Sequence, residues 1–121
     1  MIMQTMKNSV SLMGYLGTDV QSFTLSTGRK LARVSLATNE YFTSKSGERS
    51  QNTQWHNLTG WGSVAERMEQ QLTKGALVIV EGRLVHRSYE DKNGNTRYLS
   101  EIVVGTFLAP KGSPTEPTTE E

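Results

Sequence analysis

Alternation of apolar and polar side chains is the dominant pattern between residues 8 and 109, and it limits most what the chain can fold into. A period of two places every second residue on one face of a strand, so each such run can line a core on one side and meet solvent on the other. Val10, Leu12, Gly14 and Leu16 form one face, with Ser9, Ser11 and Tyr15 opposite. Gly17-Thr18-Asp19 interrupts, and a second strand runs from about Val20 to Leu25, ended by the turn at Ser26-Thr27-Gly28. Leu31 to Thr38 sets Ala32, Val34 and Leu36 against Arg33 and Ser35. The polar stretch from Thr43 to Thr53 reads as a long hairpin loop turning near Ser46-Gly47. Gln54 to Trp61, Leu77 to Tyr89 and Thr96 to Val104 are further strands, the last two joined by an Asp91-Lys-Asn-Gly-Asn95 turn.

One segment departs from the period. Val64, Met68 and Leu72 recur at i, i+4 and i+8 with Ala65 beside them, a helical stripe over 63–72 that would plug a core. Ser63 with Glu66 three residues on predicts a capping box, and Lys74-Gly75 a stop; Glu66 and Glu69 fall on the solvated side. Several strands, one short helix, then two strands predict an all-β OB-fold: a five-stranded Greek-key barrel with extended hairpins. A sandwich would need more strands at shorter spacing.

Length agrees with a single domain of 121 residues. The predicted organisation is a loose extension over 1–7, the barrel domain over 8–109 and a disordered tail over 110–121. That tail holds all three prolines and no apolar side chain able to dock. Met1, Met3 and Met6 leave the natural start open. No run approaches the roughly 18 apolar residues of a membrane-spanning helix, and residues 1–7 resemble neither signal nor transit peptide. The expectation is a cytoplasmic, nucleoid-associated protein.

The absence of cysteine excludes a disulfide framework, thiolate-bound zinc or iron–sulfur clusters, and thiol catalysis. His56 and His86 have no third partner for a metal, and no cofactor is expected. Asp19 and Asp91 both fall in turns, and neither a nucleophile elbow nor a phosphate-binding loop is present, so no enzymatic activity is predicted. The net charge of +1 divides unevenly. Twelve basic and nine acidic residues over 1–110 leave +3, while Lys111 against Glu116, Glu120 and Glu121 leaves −2. A mildly basic body is compatible with a polyanionic partner.

Two segments suggest a binding face. In Gln54-Trp-His-Asn-Leu-Thr-Gly-Trp61, Trp55, Asn57, Thr59 and Trp61 share one side of the strand, and His56 and Leu58 the other. Tryptophans interleaved with hydrogen-bonding residues suit stacking against nucleobases. The same pattern is open to a core or subunit-interface role. In Glu81 to Tyr89, Arg83, Arg87 and Tyr89 project together with Glu81 and Val85, opposite the apolar Val78, Val80 and Leu84. Arg29, Lys30, Arg33, Lys45, Arg49, Lys92 and Arg97 fall on the proposed polar faces or loops, with Tyr41 and Phe42 beside the Lys45/Arg49 loop. Cations bordering aromatics suit a single strand: they neutralise phosphate while the rings stack bases. His56 reads as a buried or interface residue, and His86 is given no role.

The chain resembles the bacterial single-stranded DNA-binding protein family over about residues 7–108. The resemblance rests on the order and spacing of several stretches. They are Asn8-Ser-Val-Ser-Leu-Met-Gly-Tyr-Leu-Gly17, Leu31-Ala-Arg-Val-Ser-Leu-Ala-Thr-Asn-Glu40, Thr53-Gln-Trp-His56, Ala65-Glu66, Lys74-Gly75, Glu81-Gly-Arg-Leu84, Arg87-Ser-Tyr89 and Arg97-Tyr98. It implies an OB barrel assembled as a homotetramer that binds single-stranded DNA without sequence preference, protecting and organising it in replication, recombination and repair. It implies base stacking by Phe42, Trp55, Trp61 and Tyr89, phosphate or polar contacts from the cations above and Asn57, and an interface position for His56. The family more often has Trp at the places of Phe42 and Tyr89 and Phe at that of Trp61, so each keeps a π-face. Two departures stand out. The tail ends Thr-Thr-Glu-Glu121 without the family's apolar tip, which puts recruitment of replication and repair proteins in doubt, and Val85 stands where Arg is frequent. The alternatives are an OB-fold interaction module or a replication-restart or mobile-element paralogue with weak DNA binding, and an RNA or oligosaccharide binder of the same fold.

Overall fold

The computed structural model describes residues 6–110. The strands are β1 (Val10–Leu16), β2 (Gln21–Thr24), β3 (Lys30–Thr43), β4 (Arg49–Trp61), β5 (Leu77–Glu90) and β6 (Thr96–Leu108), with one helix, α1 (Ser63–Gln71), between β4 and β5. The sheet order is β1-β5-β6-β4-β3-β2, and β1 also pairs with β3, which closes β1, β3, β4, β6 and β5 into a five-stranded barrel. The short β2 is an outer strand on β3. All pairings are antiparallel except β4 with β6, which meet in parallel at Leu58↔Ile102 and Thr59↔Val103. This is the OB arrangement predicted from the element order.

The core is the inward half of the alternation. Ala32, Val34, Leu36, Leu58, Val78, Val80, Ile102 and Val104 are buried inside the barrel. Met68, Ala65 and Leu72 of the helical stretch join them, as the stripe predicts. Burying a side chain of Leu or Val size contributes roughly 1.5–3 kcal/mol, so the stripe fastens α1 across the barrel end.

The structure departs from the sequence reading in three places. The capping box does not form: Gly62 is the N-cap, without a side-chain cap hydrogen bond. Its φ of 61° turns the chain from the end of β4 into α1, a backbone region that only glycine enters without a Cβ penalty. The polar stretch 43–53 is not a long loop. β3 and β4 continue as a paired arm to Thr43↔Arg49, and only 44–48 turn, with the Gly47 N–H donating to the Ser44 carbonyl at 2.9 Å. The arm extends past the barrel, so neither face is buried and no alternation marks it. Finally, β6 runs on to Leu108 through an irregularity opposite Glu81/Gly82, which lets Phe107 reach the core.

At the amino end Met6–Asn8 form a 3-10 turn. Asn8 then ties the chain to β5: its Oδ1 accepts from the Leu84 N–H at 2.9 Å and its Nδ2 donates to the Leu84 carbonyl at 3.1 Å. Of the loose extension expected over 1–7, residues 1–5 lie outside the described residues, as do residues 111–121 of the tail expected over 110–121.

Candidate nucleic-acid interface

The outward face of β3, β4, β6 and β5 carries several of the residues singled out from sequence. Ala37 lies opposite Trp55, Ser35 opposite Asn57 and Arg33 opposite Thr59. On the neighbouring hairpin Arg87 lies opposite Leu99 and Tyr89 opposite Arg97. Between these pairs runs a groove. One hollow, about 280 Å³, is lined by Thr18, Gln21, Arg33, Ser35, Asn57, Thr59, Leu99 and Glu101. Arg33 and Leu99 also wall a second hollow with Arg87, Ser88 and Tyr89, so the two continue into one another.

The two tryptophans differ in environment. Trp55 is 62% exposed, and its ring lies against Gly17: a Cβ built there would fall 2.9 Å from Cη2 and closer to Cζ3. Glycine thus lets the indole settle on the backbone with much of its surface open. Trp61 is half-buried, paired with buried Leu31, and the Arg29 guanidinium sits 4.5 Å from its ring centroid. That cation occupies the surface a base would use. Tyr89 and Phe42 are exposed. Phe42, however, pairs with Ser50 and shares the opposite strand face with His56, while Tyr41, opposite Gln51, shares the face of Trp55.

The basic residues fall into two groups. Three are held by carboxylates: Lys30 Nζ by Glu69 Oε1 at 2.8 Å, Arg87 by Glu101 Oε1 at 3.1 Å, and Arg97 Nε by Asp91 Oδ2 at 2.8 Å. The hydrogen bond and charge of Glu69 raise the pKa of Lys30, and Lys30 lowers that of Glu69 in return. Asp91 is held below the ordinary aspartate range, first by Arg97 and then by the backbone N–H groups of Asn95 and Asn93. Arg33, Lys45, Arg49, Arg83 and Lys92 are exposed, and none makes an ion pair among the described residues. Only Arg33 of these lines the groove. Lys45 and Lys92 sit in the two hairpin turns and Arg49 on the arm, while Arg83 lines a different hollow with Asn8, Ser9 and Val103.

Asn57 is exposed and its Nδ2 donates to the Ser100 carbonyl at 3.2 Å. His56 Nε2 lies 2.9 Å from Thr38 Oγ1 in a half-buried position. His86 is exposed, with Nδ1 2.7 Å from Ser100 Oγ.

Sequence reasoning missed Glu101, which is only 4% exposed yet lines the groove. Its Oε1 accepts from Thr59 Oγ1 at 3.0 Å and from Arg87. The signal available was an acidic residue at the head of the apolar run Ile102-Val-Val104. Among the described residues no group of three or more His, Cys, Asp or Glu could hold a metal ion, and no helix is long and apolar enough to cross a membrane.

Comparisons with known proteins bear on this face. The profile of the single-strand binding protein family matches residues 7–109. The chain is 40% identical over 97 residues to single-stranded DNA-binding protein 1 of Chlorobaculum tepidum, covering 79% of this chain and 60% of that protein. It is 38% identical over 96 residues to the single-stranded DNA-binding protein of Neisseria meningitidis serogroup A, covering 79% and 55%. The chain therefore spans less than two thirds of the length of these relatives. Among solved structures it is similar to a Plasmodium falciparum SSB in complex with ssDNA, with TM-score 0.79 and 26% identity, covering 86% of this chain and 95% of that one. It is also similar to a deletion mutant of the single-stranded DNA binding protein from Thermus aquaticus, with TM-score 0.75 and 27% identity, covering 87% and 51%.

Proposed function

The chain belongs to the single-strand binding protein family, and on that premise we propose that its groove face binds single-stranded DNA without catalysis and with little overall sequence preference. The observation that carries the reading is Trp55, a large ring left 62% exposed beside a groove walled by Arg33, Arg87 and Tyr89. Stacking on one aromatic is worth about 1–3 kcal/mol per base. Trp55 and Tyr89 are the stacking platforms that geometry favours. Tyr41 on the arm would continue the track on the face of Trp55, Phe42 would meet a strand only on the arm's other face, and Trp61 would stack only after Arg29 moves aside. Arg33 and the exposed cations Lys45, Arg49 and Lys92 would neutralise phosphates along it. Coating of this kind would protect and organise single strands in replication, recombination and repair, and would place the protein in the cytoplasm at the nucleoid.

The protein also acts as a homo-oligomer in this reading, with a tetramer as the expected state. Met13, Ile79 and Leu108 stand side by side across β1, β5 and β6, and all three are exposed. Ile79 is eight residues along β5 from Arg87, about 26 Å at strand rise. A second copy covering this apolar row would leave the groove open. The row supports the DNA reading over an interaction module, since self-association does not need the aromatic face.

Anisotropy of a labelled dT oligomer tests the proposal, with duplex DNA and single-stranded RNA of equal length as competitors. The expected result is tight binding at low salt, weakening at high salt, with poor competition by duplex. Equal competition by duplex would overturn it.

A further inference from the structure

The groove contains a group that a pure phosphate-and-stacking surface has no use for. Glu101 is a carboxylate, 4% exposed, at the wall of a site read as taking a polyanion. Its two oxygens are unequal. Oε1 receives both the Thr59 hydroxyl and the Arg87 guanidinium, whereas no hydrogen bond reaches Oε2 from any described residue. Oε2 is thus left to a donor that enters the hollow, and a ligand that supplies one gains a charge-assisted hydrogen bond. The hollow Glu101 lines, about 280 Å³, lies near the lower end of cavities that hold small molecules. Its walls combine apolar Leu99 with the side chains of Arg33, Asn57 and Gln21.

We infer that this hollow is a subsite for one nucleobase bearing an exocyclic amino group, read by Glu101, with cytosine the pyrimidine it favours over thymine. The inference rests on the single-stranded DNA reading above and adds base discrimination at one position of the track. Cytosine offers its 4-amino group to a carboxylate, and a carboxylate accepting from that amine is a standard base contact. Thymine presents a carbonyl at the same place, which would set two acceptors against each other and leave both unpaired. Arg87 makes the discrimination directional. It binds Oε1 and so fixes which oxygen remains for the base. In Glu101→Gln the same guanidinium keeps the amide oxygen at that position and turns the amide nitrogen, a donor, toward the base.

The test measures affinity of the full-length protein for three strands of equal length: dC, dT, and a dC analogue carrying hydrogen in place of the 4-amino group. The wild-type protein is expected to bind dC about tenfold more tightly than the analogue, the effect of one charged hydrogen bond. Glu101→Gln is expected to lower the dC-to-dT affinity ratio by a similar factor. A purely structural Glu101, serving only to hold Arg87, would weaken all three strands together and leave the ratios unchanged, and that result overturns the subsite. The analogue comparison uses wild-type protein, so it decides the matter even if Glu101→Gln fails to fold; equal wild-type affinity for dC and the analogue also overturns the subsite. Binding to none of the three strands would instead overturn the single-stranded DNA reading itself, and the subsite with it.

Discussion

The indole of Trp55 lies against the backbone of Gly17, with no room for a Cβ between them. A residue that ends β1 thereby sets the pose of a ring on β4. Gly17→Ala should keep the barrel, because the obstructing atoms belong to the rim of a largely exposed side chain that can swing outward. The displaced ring should stack less well. Near-UV circular dichroism of the tryptophan bands should change while the far-UV spectrum does not. Affinity for dT should fall, by less than the roughly 1–3 kcal/mol expected for Trp55→Ala.

Salt dependence should separate the two groups of cations. For single strands the slope of log K against log salt is about −0.7 per phosphate neutralised. Arg33 lines the groove and makes no ion pair among the described residues, so Arg33→Ala should make the slope shallower by about 0.7. Arg97 is already engaged by Asp91, and Arg97→Ala should change it less. Equal changes for the two variants would contradict the division.

Asp91 accepts from Arg97 and from the N–H groups of Asn93 and Asn95 at 2.9 Å each, which together order the β5–β6 turn. Its pKa is lowered on folding, so its contribution to stability is fully present above the unfolded aspartate pKa. That contribution is lost as pH falls through the lowered folded value. The protection factors of the Asn93 and Asn95 amides, taken against the unfolded chain at the same pH, should therefore fall only under acidic conditions, and Asp91→Asn should remove that acid-dependent step. Protection factors that already fall near neutral pH would contradict this.

Self-association should depend on the Met13–Ile79–Leu108 row. Ile79→Asp adds a charge where the side chain already meets solvent in the single chain, so the barrel should persist. Light scattering should report a smaller particle than for the unaltered protein. An unchanged mass would place the interface elsewhere.

Much of the barrel is legible in the sequence because one side of each strand faces a core. Ala32, Val34 and Leu36 against Arg33 display it plainly, and Val64, Met68 and Leu72 mark the only helix longer than a turn among the described residues. The arm is not legible, since Tyr41, Phe42, Gln51 and Asn52 are all exposed and no burial imposes a period. Gly62 replaces the expected capping box because the sharp exit from β4 needs a positive φ more than it needs a side-chain cap. At the site, the shared face of Trp55 and Asn57 follows from alternation. The covering of Trp61 by Arg29 and the hold of Glu101 on Arg87 do not, because each joins diagonal neighbours across a strand pair and so depends on a register that alternation alone leaves open.

The most direct test of the central claim isolates the exposed ring. In Trp61→Phe, Trp55 is the one remaining tryptophan, and its fluorescence can be followed as poly(dT) is added at low salt and the salt is then raised. Strong quenching that reverses with salt is the predicted result, with Trp55 stacked on bases and cations holding the phosphates. Emission unchanged through saturation, with the strand demonstrably bound, would mean that DNA does not run over this face and would contradict the account.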